Sequence, residues 1–76
     1  MSYVSRQHAL NEGASLREEA DRWRARADRN TRTGDVFGAC IAAGNARVCE
    51  AQARLADEAA ELLKPRRRRT RPRRRA

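Results

Sequence analysis

The second half of the chain is organised by a stripe. Phe37, Ile41, Gly44, Val48, Ala51, Leu55, Ala59 and Leu62 recur at steps of four and three. At 100° per residue they fall within about 40° of one line, the signature of an amphipathic helix. The opposite face carries Asp35, Ala39, Ala42, Ala46, Glu50, Ala53, Asp57, Ala60 and Lys64, all small or charged. Glu50 and Arg54 form a favourable i, i+4 pair. Pro65 cannot continue a helix and disfavours helical geometry at Lys64, so the element stops there.

A second helix precedes it. Ser15 and Glu18 have the spacing of a capping box, with Glu18, Glu19 and Asp21 in or near the first turn. Arg26, Arg29 and Arg32 lie toward the other end, where cations complement the helix dipole. Leu16, Ala20, Trp23 and Ala27 form its apolar stripe. The segment 30–35 (NTRTGD) reads as a turn, with Gly34 suited to a left-handed helix C-cap. Residues 5–12 either form a short separate helical turn stopped at Gly13 or extend the first helix to match the second. So short a connection makes the two long helices antiparallel. The expected fold is all-α: a helical hairpin over residues 1–64, followed by a basic tail over residues 65–76.

Trp23, Ala27, Gly34–Asp35, Ala39, Ala43 and Ala46 lie at spacings similar to the small and aromatic positions of one tetratricopeptide-type hairpin. The resemblance covers about one repeat. It departs from the pattern at Arg26, where a leucine is expected, and at Asn30, where a tyrosine is expected. It implies shared packing logic, with small residues where helices cross closely, rather than membership, because such arrays need about three units to bury their faces.

Composition sharpens this picture. Hydrophobic residues make up 39% of the chain, but alanine supplies 15 of them. The large apolar residues are too few for a lone hairpin to be more than marginally stable. The first helix offers only Leu16 and Trp23 as large side chains to cover the stripe of the second. A partner is therefore expected, most simply a second copy forming a homodimeric four-helix bundle, or a helical protein. The expected interface comprises Trp23, Phe37, Ile41, Val48, Leu55 and Leu62. Trp23, in line with Leu16, Ala20 and Ala27, reads as an anchor of the core rather than an exposed stacking platform.

Charge changes the picture most. Residues 1–63 hold nine arginines and ten Asp or Glu, a net of −1. Residues 64–76 (KPRRRRTRPRRRA) hold one lysine and eight arginines with no acid, a net of +9. This segment has no apolar residue larger than alanine, so it is expected to be disordered. Guanidinium groups donate paired hydrogen bonds to phosphates, and release of condensed counterions drives the association. The candidate nucleic-acid-binding residues are therefore Lys64, Arg66, Arg67, Arg68, Arg69, Arg71, Arg73, Arg74 and Arg75. No Asn, Gln or aromatic stands among them to read or stack on a base, so binding to DNA or RNA is expected to be nonspecific. The bland alternative is that 17 arginines to one lysine reflect GC-rich coding. A second class of function is an assembly subunit whose tail meets an acidic protein surface or anionic lipid. Arg22, Arg26 and Arg29 share a flank of the first helix, but Glu18 and Asp21 stand within pairing reach, which makes that flank a solvated charged face.

Catalytic and metal chemistry find little support. His8 is the single histidine and has no evident nucleophile or carboxylate partner, so no enzyme, cofactor, metal or small-molecule substrate is expected. Cys40 and Cys49 are nine residues apart, on opposite sides of one helix, and cannot bridge each other there. Cys40 borders the stripe and is expected to be buried, whereas Cys49 is expected to be exposed. Residues 1–13 lack the apolar core of a signal peptide, and no stretch reaches the ~20 apolar residues of a membrane span. A reducing cytoplasm is the expected location.

Overall fold

The computed structural model describes residues 5–65, which form two helices, α1 (Arg6–Arg32) and α2 (Val36–Leu62), packed along each other as an antiparallel hairpin. Each has 27 residues and so runs about 40 Å. The extension alternative holds at the N-terminus, where residues 5–12 belong to α1. Its cap is Ser5, whose hydroxyl accepts from the His8 amide at 3.1 Å. The capping box expected at Ser15 and Glu18 does not form, because Ser15 lies in mid-helix. The spacing was present, but the helix had already begun ten residues earlier with its own satisfied cap.

The turn is shorter than expected, since Asn30–Arg32 close the last turn of α1. The Asp35 amide donates to the Asn30 carbonyl at 2.8 Å, and the Gly34 amide to the Thr31 carbonyl at 3.1 Å. These two bonds are the Schellman closure of a helix, and it needs a left-handed residue, supplied by Gly34 at φ +83°. Asp35 then caps α2, its carboxylate accepting from the Gly38 amide at 2.9 Å. One residue thus ends the first helix and starts the second. At the far end Leu63 caps α2, with its amide bonded to the Ala59 carbonyl at 3.0 Å, just before Pro65.

The core is a seam of small residues. Ala9, Gly13 and Ala20 from α1 meet Ala42, Ala46, Cys49, Ala53, Ala56 and Ala60 from α2, all buried. Leu16, Trp23 and Ala27 are half-buried in the same register of α1. Steps of four and three on both helices give a 3.5-residue repeat, the pattern of a coiled-coil seam. Small side chains let two helices approach to the lower end of the usual 8–10 Å separation. At Gly13 a Cβ would stand 3.2 Å from an Asp57 carboxylate oxygen and 3.6 Å from the Ala56 Cβ, which leaves little room for a side chain.

Two ion pairs tie the hairpin's edge. Arg17 meets Asp57 and Arg24 meets Glu50. Seven steps along α1 are matched by seven steps back along α2, which fixes the antiparallel register. Glu50, expected to pair with Arg54 on its own helix, instead reaches across to Arg24, which also holds Asp21 at 2.8 Å.

Candidate functional site

The stripe that dominates the sequence faces away from α1. Phe37 is 77% exposed, Ile41 50%, Val48 55%, Leu55 62% and Leu62 86%. The expectation that α1 covers part of this stripe is therefore corrected: α1 packs on the opposite, small-residue face. The physical reason lies in fit. The small positions of α2 match those of α1 over nearly the whole hairpin, whereas α1 has no matching row of large side chains for the stripe. The stripe is centred about 140° around the helix from the seam, so it projects from the hairpin's outer side.

Both cysteine expectations are reversed for the same reason. Cys40, beside the outward stripe, is exposed, and Cys49, in register with Ala46 and Ala53, is buried. Trp23 does not join the other five expected interface residues. It sits half-buried in the α1 seam, with the Arg26 guanidinium 5.6 Å from its ring centre.

Gly44 lies on the exposed stripe between Ile41 and Val48, and a Cβ built on it would meet nothing within 4 Å. Gly38 differs: a Cβ there would stand 2.8 Å from the Asp35 carboxyl carbon and 2.9 Å from the Asn30 amide nitrogen. The cap of α2 requires glycine at position 38, while nothing within the hairpin requires it at 44.

Three of the hairpin's nine arginines are engaged within it. Arg17 and Arg24 hold carboxylates of α2, and Arg26 lies over Trp23. Together with Arg54 the first two line a shallow groove of about 400 Å³, which Asp21 and Glu50 share. Acids inside this groove oppose a second anion, so it is a poor phosphate site. Lys64, at the end of α2, pairs with Glu61 at 3.3 Å. The remaining candidate cations, Arg66, Arg67, Arg68, Arg69, Arg71, Arg73, Arg74 and Arg75, lie outside the described residues, as does the tail expected to be disordered.

Among the described residues no helix is long and apolar enough to cross a membrane, and no three His, Cys, Asp or Glu side chains gather as metal ligands. No family model, curated protein or solved structure matches the chain.

Proposed function

We propose that this protein binds nucleic acid without sequence preference through Lys64–Arg75, with the hairpin acting as an assembly element. The observation that carries this reading is the segregation of charge. Residues 64–76 hold a net +9, while residues 1–63 sum to −1. A phosphate backbone is the polyanion best matched to closely spaced guanidinium groups, each offering planar, paired donors.

The test is a titration against labelled duplexes and single strands of unrelated sequence over a range of salt. If about five to eight cations contact duplex phosphates, log K falls against log salt with a slope of about −4 to −7. Replacing the eight arginines of residues 66–75 with glutamine should remove nearly all affinity. Retained affinity would move the site to the hairpin, and a strong preference for one sequence would refute nonspecific binding.

A second reading draws on a separate observation, the six large apolar side chains exposed on α2. It makes the protein an assembly subunit whose basic segment meets an acidic protein surface. Absence of nucleic-acid binding at physiological salt, with partner capture intact, would select it.

A further inference from the structure

We propose that the outer stripe of α2 is covered by α2 of a second copy, antiparallel about a two-fold axis centred between positions 49 and 50. This rests on the reading of the hairpin as an assembly element and is independent of what the basic segment binds.

The size of the patch is the first argument. The exposed parts of Phe37, Ile41, Val48, Leu55 and Leu62 amount to roughly 600 Å², at the upper limit for the largest apolar patch of a typical monomer. Two such stripes pressed together would remove at most about 1,200 Å², the lower edge of a stable specific interface.

The pattern along the stripe chooses the direction. About the proposed axis, Phe37 meets Leu62 of the second copy, Ile41 meets the aliphatic stem of Glu58, Gly44 meets Leu55, and Val48 meets Ala51. The last two put a large side chain opposite a small one. Leu55 fills the open space above Gly44, which gives that glycine, the poorest helix former after proline, a reason to stand in mid-helix. A parallel pairing would set Gly44 against Gly44 and Leu55 against Leu55, alternating voids with crowding.

Charge makes the same choice. A parallel pair would place two segments of net +9 side by side at one end. The antiparallel pair separates the two Lys64 residues by roughly 40–45 Å along the axis, far beyond a Debye length at physiological salt. Because the stripe lies about 140° from the seam, the four helices form an open, bent row with α2 of each copy inside, and the two Lys64 residues stand at opposite ends.

Cys40 is an exposed native probe, while Cys49 is buried. Spin-labelling Cys40 in the full-length Cys49→Ala protein and measuring dipolar distances reads the arrangement directly. Antiparallel pairing puts the two labels roughly 30 Å apart along the axis, and parallel pairing brings them within about 20 Å. A distance near 30–35 Å supports the proposal; a short distance, or a folded monomer with no coupling, overturns it. Gly44→Leu supplies the second arm. Its Cβ meets no atom within 4 Å in the hairpin and leucine improves helix propensity, so helicity should hold or rise while dimerisation weakens about tenfold or more. Tighter dimerisation by this variant would refute the Gly44–Leu55 register. Nucleic-acid affinity is read separately by the salt titration, so either proposal can fail alone.

Discussion

Enlarging a buried alanine should harm this protein more than truncating its largest exposed aliphatic residues. Ala53 is 2% exposed and lies, with Ala20, between the Arg17–Asp57 and Arg24–Glu50 ion pairs. Ala53→Leu adds three carbons to a seam built for close approach. The helices must then separate toward the 10 Å typical of larger side chains, or the leucine must leave its preferred rotamers. Overpacking of this kind costs about 1–3 kcal/mol. For a domain of this size each kcal/mol shifts Tm by about 4–8 °C, so melting should fall by roughly 5–20 °C. Moving the helices apart also strains both cross-hairpin ion pairs, which adds to the loss without changing its sign. The assay is thermal melting followed by circular dichroism at several protein concentrations, with Leu55→Ala as comparison. In dilute, monomeric protein Leu55→Ala should shift stability by no more than about 0.5 kcal/mol, since its side chain touches mainly water. An unchanged or raised Tm for Ala53→Leu would refute the small-residue seam. So would a larger loss for Leu55→Ala under monomeric conditions.

Three further outcomes follow from local geometry. Gly38→Ala should destabilise by about 1 kcal/mol despite better helix propensity, because its Cβ displaces the Asp35 cap; a rise in Tm would contradict that arrangement. A thiol reagent should label Cys40 in the native protein and reach Cys49 only on opening, so equal native rates would refute the orientation of α2. A double-mutant cycle on Arg24 and Glu50 should give only about 0.2–1 kcal/mol, since both groups are partly exposed, and the coupling should shrink in high salt.

The sequence made the hairpin legible because its helical period, Gly34 and Pro65 all point the same way. The α2 cap was less visible. Asp35 with Gly38 leaves no carboxylate at the third helical position, so no capping box announced it. The start of α1 was obscured by Ser15 and Glu18, which have cap spacing but lie within an uninterrupted helix. Gly13, a stop in only one of the two readings of the N-terminal segment, is a close-contact position against Ala56 and Asp57 within α1. The larger error concerned which face of α2 meets α1. Counting large side chains favoured the stripe, yet packing depends on fit between two surfaces. The signal was available in the sequence: Ala42, Ala46, Cys49, Ala53, Ala56 and Ala60 repeat every 3.5 residues, as do Ala9, Gly13, Leu16, Ala20, Trp23 and Ala27 on α1. Cys49 completes that series, which is the clue to its burial.

An alanine seam has a cost that bears on assembly. Each buried alanine removes little apolar area from water, so the seam supplies geometry more than stability. The largest reserve of unburied apolar surface lies on the outer stripe, where pairing with a second copy would add to stability by mass action. Folding and assembly are then coupled, and Tm should rise with protein concentration. The same coupling would make the basic segments act in pairs. Two segments carried by one dimer would engage a polyanion with a high effective concentration, gaining affinity without any new contact. Leu55→Asp, which alters no buried seam residue, should therefore weaken nucleic-acid binding while leaving the net charge of residues 64–76 untouched. Unchanged affinity across concentrations that abolish the dimer would show that each segment acts alone.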